Sequence, residues 1–147
     1  MTPTLVSFDY NHPGYHEAAR KIRHTVFVEE QKVPEALEYD EFESVCRHYL
    51  MFIDDTAAAT CRWRHTHRGI KLERFAVLHE FRGKGLGYLL VRQVLKDVLP
   101  ENKTIYLHAQ EQVTAFYEKL GFRTSGGLFE EAGIGHFLMV YKQESNP

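Results

Sequence analysis

The stretch EFRGKGLGYLLVRQVL (residues 80–95) places three alternating glycines and two cations directly before an apolar, periodic run. The leucines and valines of that run recur at helical spacing, which predicts a helix over residues 86–99 that ends before Pro100. Glycines have no Cβ atom to hold a ligand away from the backbone, and the free N–H groups at a helix start attract anions. The stretch therefore predicts a phosphate-binding turn between a strand and a helix.

Two common phosphate-binding patterns do not match this turn. A P-loop needs Ser or Thr after its lysine, but Lys84 is followed by Gly85. A dinucleotide fingerprint needs a third glycine where this chain has Tyr88, and no acidic residue is convincingly placed about 20 residues further on. What remains is an Arg-x-x-Gly-x-Gly run from Arg82 to Gly87.

The surrounding segments predict a mixed α/β fold with one twisted sheet and helices on both faces. Strands are predicted at residues 4–10, 46–53, 57–66, 69–78, 103–109 and 136–142, and further helices at residues 15–28 and 112–121. Residues 124–135 read as a turn between two strands. Residues 29–44 read as an acidic loop, which is either a solvated face or a mobile segment over the substrate.

Composition excludes several classes of function. The formal net charge of −2 gives no electrostatic reason to expect nucleic acid or an anionic membrane as a partner. No apolar run approaches the roughly 20 residues that span a bilayer, and the first residues do not form a signal peptide. Cys46 and Cys61 stand outside any CxxC pair, and His65 and His67 lack nearby cysteine or acidic ligands. We therefore expect a cytoplasmic protein with buried thiols and no metal site.

The run from Arg82 to Gly87 resembles the acetyl-CoA loop of the GNAT superfamily of N-acetyltransferases, which has an Arg/Gln-x-x-Gly-x-Gly/Ala pattern. The segment AFYEKLGF (residues 115–122) resembles a second family segment, a helix that runs into Gly-Phe. The resemblance covers roughly residues 15–142, and its ending is closest to the branch with ElaA-like and glyphosate-acetyltransferase-like proteins. It implies a mostly antiparallel sheet of six to seven strands.

The resemblance also implies that acetyl-CoA is the co-substrate and that residues 1–147 form one domain that binds it. In this family the strand before the loop offers its backbone to the pantetheine amides, and an asparagine often follows the fifth strand, where this chain has a glutamine. The implied cofactor-binding residues are Phe75, Ala76, Val77, Arg82, Gly83, Lys84, Gly85, Leu86, Gly87 and Gln110.

The same resemblance suggests three catalytic residues. Tyr117 occupies the position of the family tyrosine that faces the acetyl group, which implies a general acid for the leaving thiolate. Two residues compete for the role of base. Glu73 lies on the strand before the loop, where it could instead form an ion pair with a neighbouring arginine. His136 begins the last strand, where it could instead cap a turn, and its ordinary pKa suits proton transfer near neutral pH.

These patterns predict an N-acetyltransferase that acts on the amine of a small molecule. Acetylation of a protein amine and a non-catalytic acyl-CoA sensor remain as alternatives. The acidic residues 29–44 favour a cationic acceptor, whereas four arginines could instead anchor an acidic group. These are Arg23, Arg62, Arg64 and Arg74. A homodimer through an exposed sheet edge is compatible with the sequence.

Overall fold

Eight strands in one sheet carry the fold, and the computed structural model describes residues 2–142. Met1 and residues 143–147 of the predicted domain lie outside the described residues. The strands are β1 (Pro3–Phe8), β2 (Arg47–Ile53), β3 (Thr56–Thr66), β4 (Gly69–Val77), β5 (Ile105–Gln110), β6 (Phe122–Thr124), β7 (Phe129–Glu131) and β8 (Ile134–Tyr141). Their order is β1-β2-β3-β4-β5-β8-β6, with β7 also paired to β8. Every pair is antiparallel except β4 with β5, which confirms the predicted mostly antiparallel sheet.

Within residues 2–142, four α-helices accompany the sheet. They are α1 (Pro13–Arg23), α2 (Glu35–Glu38), α3 (Leu86–Val98) and α4 (Thr114–Lys119). Helix α1 continues directly into a π-helical segment, His24–Glu30, so the predicted helix at residues 15–28 is longer than expected. No helix among residues 2–142 is long and apolar enough to cross a membrane.

The helices cover both faces of the sheet, as predicted. Met51 of β2 belongs to the larger core, which also holds Leu90 and Val94 of α3. The preceding residue of β2, Leu50, belongs to a second core that includes Ile22 of α1. Because successive side chains of a strand point to opposite faces, one apolar strand serves two helix layers.

A β-bulge in β4 opens the middle of the sheet. Thr60 pairs with Ala76 and Arg62 pairs with Glu73, so two residues of β4 oppose one of β3. One of the two, Arg74, has a φ of 60°, a left-handed conformation that residues other than glycine seldom adopt. Pairing between β4 and β5 reaches only as far as Leu72 and Leu107, and beyond this point the two strands diverge.

Strands β6 and β7 lie in or beside residues that were predicted as helix end and turn. Each is only three residues long, which is too short to show a period in the sequence. A two-residue turn at Ala132 and Gly133 joins β7 to β8. Both residues have positive φ, 53° and 77°, the geometry that matches the twist of a tight hairpin. The hairpin places Glu131 beside the start of β8.

Candidate active site

A cavity of about 570 Å³ lies where β4 and β5 diverge. It is bounded by the π-helical segment, the two diverging strands, α4 and the β7–β8 hairpin. The residues predicted from the sequence that line it are Glu73, Phe75, Ala76, Val77, Arg82, Gly87, Gln110, Tyr117 and His136. The structure therefore brings the three predicted catalytic residues together with most of the predicted cofactor residues.

Four predicted cofactor residues lie beyond the cavity lining, in the turn at the start of α3. They are Gly83, Lys84, Gly85 and Leu86. The Leu86 side chain is buried in the larger core, so only its backbone faces the turn. The cavity lining ends at Arg82 and Gly87, so a cofactor role for these four residues stays a prediction.

The glycine turn has the backbone that an anion site requires. Gly83 and Gly85 have φ angles of 77° and 79°, and a Cβ atom added to either would meet nothing within 4 Å. These positions are therefore restricted by backbone conformation rather than by space. The N–H of Leu89 is bonded to the carbonyl of Gly85, so the N–H groups of the residues between them have no partner within the helix. These N–H groups are available to an anion.

Two predicted cofactor residues are tied to the segment that follows α1. Arg82 donates from Nε to the carbonyl oxygen of Val77 at 2.9 Å and from Nη2 to the Glu30 carboxylate at 2.7 Å. The Gln110 amide donates to Gln31 Oε1 at 2.7 Å. The segment after α1 thus binds one polar side chain that follows β4, Arg82, and one at the end of β5, Gln110, from the two sides of the cavity.

Tyr117 stands on α4 in an aromatic environment. Its ring packs edge-on against Phe75, Phe116 and Phe122, with ring centroids 5.0 to 6.1 Å apart. Burial raises the pKa of the Tyr117 hydroxyl, which keeps it protonated at neutral pH. A protonated phenol at the cavity wall is able to donate.

Glu73 is buried and bound by cations. Its carboxylate accepts hydrogen bonds from Arg62 and, at 2.9 Å, from Arg64 Nε, and Lys71 Nζ lies 3.4 Å away. Burial alone would raise the pKa of Glu73, but the charges of Arg62, Lys71 and Arg64 outweigh it and lower the pKa. A carboxylate so stabilised is a weak proton acceptor, which favours the ion-pair interpretation of Glu73.

The acidic segment is packed rather than free. Its inner carboxylates bind three of the four arginines that were considered as substrate anchors, and the fourth, Arg64, pairs with Glu73 of β4, so those charges are mutually compensated. The pairs are Arg23 with Glu38 and Glu43, Arg62 with Asp40 and Glu43, and Arg74 with Asp40. Arg74 also donates to the carbonyl of Glu38, which fastens the segment to the β4 bulge.

His16, Glu43 and His48 form a cluster whose potential ligand atoms lie within 4.8 Å of one another. The Glu43 carboxylate already accepts hydrogen bonds from two guanidinium groups, Arg23 and Arg62. His48 Nε2 is 2.9 Å from the backbone carbonyl oxygen of Glu43, not from its side chain. A divalent cation here would meet two guanidinium charges, so we interpret the cluster as a buried ion-pair network.

His136 lies at the start of β8, opposite Gln110 of β5. Its Nδ1 is 2.7 Å from the carbonyl oxygen of Ile134. A carbonyl only accepts, so Nδ1 carries the hydrogen and Nε2 of the neutral ring keeps its lone pair. The ring stacks on Phe129 with an interplanar angle of 24°. His136 is therefore held in one tautomer at the cavity wall.

Sequence reasoning missed His108 and Glu131, which also line the cavity. His108 Nδ1 is 3.2 Å from Glu131 Oε1, and His136 Nε2 is 3.8 Å from Glu131 Oε2. His108 precedes Gln110 by two residues in β5, so alternation alone places both on one face of the sheet. The missing signal was the hairpin turn at residues 132–133, because β7 is too short to be recognised.

Comparison with known families agrees with this architecture. The family model described as an acetyltransferase (GNAT) domain matches residues 11–143. The chain belongs to the GNAT family. This GNAT protein is 40% identical over 135 residues to the uncharacterized protein YyaT of Bacillus subtilis, a match that covers 89% of this chain and 90% of YyaT.

Solved structures show the same fold. An acyl-CoA N-acyltransferase from Pseudomonas aeruginosa superposes with a TM-score of 0.87 at 24% identity, covering 96% of this GNAT chain and all 100% of that chain. ElaA from Escherichia coli also gives a TM-score of 0.87, at 23% identity, with 96% and 100% coverage. The GNAT resemblance of the two sequence segments is thus confirmed across the chain.

Proposed function

We propose that this GNAT protein transfers the acetyl group of acetyl-CoA to the amine of a small molecule, with residues 1–147 acting as one domain. The observation that carries the proposal is the cavity between β4 and β5. It begins beside the glycine turn at the start of α3 and includes both Tyr117 and His136. An anion-binding turn, a proton donor and a proton acceptor therefore share one site.

The cofactor end of the site would hold a pyrophosphate. When bound, acetyl-CoA supplies a thioester whose acetyl group can be transferred. The N–H groups at the start of α3 offer hydrogen bonds, and the helix dipole favours an anion there by about 0.3–1 kcal/mol. Arg82 adds a guanidinium at the rim of the cavity. The backbone of residues 75–77, which β5 leaves unpaired, would bind the amides of the pantetheine arm.

The protein's own side chains would move two protons. An alkyl ammonium with a pKa near 10.4 is only about one part in a thousand neutral at pH 7, so an amine acceptor benefits from a base. His136 would take that proton at Nε2, the nitrogen that its bond to Ile134 leaves free. The Tyr117 hydroxyl would donate its proton to the departing sulfur. Glu73 would serve the arginine network instead.

The acceptor class rests on the size of the site. A cavity of about 570 Å³ lies within the range that small-molecule sites occupy. A cytoplasmic location and a homodimer stay predictions. Cys46 and Cys61 are both buried free thiols, which agrees with a reducing compartment.

The test is a thiol-release assay with acetyl-CoA against a panel of amines and amino acids, with calorimetric titration of acetyl-CoA alone. Binding together with amine-dependent release would support the transferase. Binding without release across the panel would favour a sensor or a protein acetylase, and peptide substrates would then separate those two. Absence of acetyl-CoA binding would overturn the proposal.

A further inference from the structure

Glu131 differs from the other glutamates that line the cavity. Three of them are neutralised by guanidinium groups; the pairs are Glu30 with Arg82, Glu38 with Arg23, and Glu73 with Arg62. Glu131 is instead flanked by two imidazoles, those of His108 and His136. Among the glutamates of this lining, Glu131 is therefore the one that pairs with no arginine.

The contact with Glu131 determines which ring nitrogen of His108 carries the hydrogen. His108 Nδ1 lies 3.2 Å from Glu131 Oε1. The hydrogen bond with His108 is the main reason that the pKa of Glu131 falls to about 2, against the opposing effect of burial. Glu131 is therefore a carboxylate at neutral pH and can only accept, so His108 Nδ1 carries the hydrogen. This arrangement leaves His108 Nε2 with a lone pair.

The contact with His136 is of a different kind. Glu131 Oε2 lies 3.8 Å from His136 Nε2, which is beyond hydrogen-bonding distance. In the neutral ring Nε2 has no hydrogen, because Nδ1 donates to Ile134. A proton arriving at Nε2 would therefore face a carboxylate that is already in place and already ionised.

Other charged groups also face this cluster. Lys71 of β4 lowers the pKa of Glu131 through its charge, although its ammonium lies 3.4 Å from Glu73. The Glu111 carboxylate lies beside Gly135, since a Cβ added to Gly135 would come within 3.2 Å of Glu111 Oε2. These two charges are opposite in sign, and neither contacts both imidazoles as Glu131 does.

We propose that Glu131 is a positioning residue that fixes the tautomer of His108 and holds the imidazolium of His136 once that ring has taken the acceptor's proton. The step balances: one N–H bond of the acceptor's ammonium breaks, an Nε2–H bond forms on His136, and the freed lone pair makes the amine nucleophilic. The positive charge moves from the substrate to a ring beside a carboxylate. This inference rests on the proposed function.

The decisive variant is Glu131→Gln, which keeps the shape and removes the charge, with Glu130→Gln as its matched control. Glu130 is the neighbouring residue of β7, is exposed and does not line the cavity. For Glu131→Gln we expect kcat to fall about tenfold, acetyl-CoA affinity to stay unchanged and the acidic limb of the kcat profile to move to lower pH. Glu131→Asp should recover part of kcat, and Glu130→Gln should match the wild type.

A second measurement does not depend on turnover. Long-range ¹H–¹⁵N spectra report which ring nitrogen carries hydrogen, and His108→Gln identifies the signals of His108. We expect hydrogen on Nδ1 of His108 in the wild type, in Glu130→Gln and in Glu131→Gln, whose amide oxygen still accepts, and loss of that fixed tautomer in Glu131→Ala, which has no acceptor. An unchanged tautomer in Glu131→Ala would overturn the inference. If no amine is acetylated but the tautomer depends on Glu131, the proposed function fails while the positioning role of Glu131 stands.

Discussion

Arg82 and Glu30 form an ion pair at the cofactor end of the cavity, with Arg82 Nη2 2.7 Å from Glu30 Oε2. The glutamate carboxylate occupies the guanidinium that would otherwise be free to meet a phosphate. Both side chains are more than a third exposed, at 41% and 34%, so the pair contributes less than about 1 kcal/mol to the free energy of unfolding. If Arg82 binds the cofactor as proposed, cofactor binding has to displace this small competing contact.

Removing this competitor should tighten cofactor binding. Glu30→Gln is expected to lower the Kd of acetyl-CoA by a factor of up to about five, which corresponds to about 1 kcal/mol. Isothermal titration calorimetry at low salt measures the effect. Glu29→Gln is the control, because Glu29 is exposed, pairs with His24 and does not line the cavity. Weaker binding by Glu30→Gln would contradict the competition.

The glycine turn allows a test that separates stability from binding. Gly85→Ala forces a Cβ into a left-handed conformation and should cost about 1–2 kcal/mol of folding free energy. It should also raise the Kd of acetyl-CoA several-fold, because relief of the strain displaces the N–H groups of α3. Gly126→Ala has an equivalent φ, 85°, and open space, so it should cost similar stability without changing the Kd. Equal Kd values in both variants would remove the turn from the cofactor site.

Tyr117→Phe removes the proposed proton donor and leaves the ring in its aromatic environment. We expect kcat to fall about a hundredfold, within the range for general acid catalysis, with no change in the Kd of acetyl-CoA. Steady-state kinetics beside calorimetry gives both numbers. Tyr10→Phe changes an exposed tyrosine that does not line the cavity, and it should behave as the wild type. Retention of normal turnover by Tyr117→Phe would exclude the hydroxyl from the mechanism.

His136→Ala and Glu73→Gln should have opposite effects. His136→Ala is expected to lower kcat about a hundredfold with little loss of stability. Glu73→Gln removes one of the three carboxylates that pair with Arg62 and also the partner of Arg64, so it should destabilise the fold by about 1.5–3 kcal/mol, while folded molecules keep most of their turnover. Urea unfolding and kinetics on the same preparations separate the two. The reverse pattern would identify Glu73 as the base.

The buried ion pairs make stability depend on pH with a definite sign. Asp40, Glu43 and Glu73 have pKa values lowered by their arginine partners, against the opposing effect of burial. Their contribution is present above the unfolded values, about 3.9 for Asp and 4.3 for Glu, and is lost as the pH falls through the lower folded values. Burial lowers the pKa of His48, which adds a shallower loss that begins below about pH 6.5.

Urea midpoints between pH 8 and pH 2 check this dependence. We expect a plateau above pH 7, a gentle decline towards pH 5 and a steep decline below about pH 4. Glu43→Gln should flatten the steep part, because one of the linked carboxyls is gone. A stability that is constant down to pH 3 in the wild type would show that these pairs do not contribute.

The glycine turn and α3 were predictable because their signal is local. The turn from Arg82 to Gly87 carries its conformational demands within six consecutive residues, and α3 carries a long apolar period. The strands of β2 to β5 were found for the same reason. Local patterns of this length determine both the element and its place in the fold.

The catalytic end was less predictable because its contacts join distant residues. The role of Glu73 depends on Arg62, which faces it only through the register that the bulge at Arg74 creates. Glu131 reaches His108 and His136 only because a three-residue strand returns through a tight turn. In the sequence, nothing distinguishes either glutamate from the other charged residues. The partner that determines its chemistry lies on another strand and is brought close only by the fold.

The bulge at Arg74 has a further consequence for specificity. Beyond Leu72, the edge of β4 that faces β5 is unpaired while the other edge stays paired with β3, so an open strand edge lies inside the sheet rather than at its border. A ligand that contains amide groups can form hydrogen bonds with these backbone groups of β4, whatever side chains the strand carries. The side chains of Phe75 and Val77, which line the cavity, are therefore free to set how long an acyl group fits. We expect their exchange for other side chains to change the length of the acyl group that is accepted, while the amide-containing arm of the acyl donor stays bound.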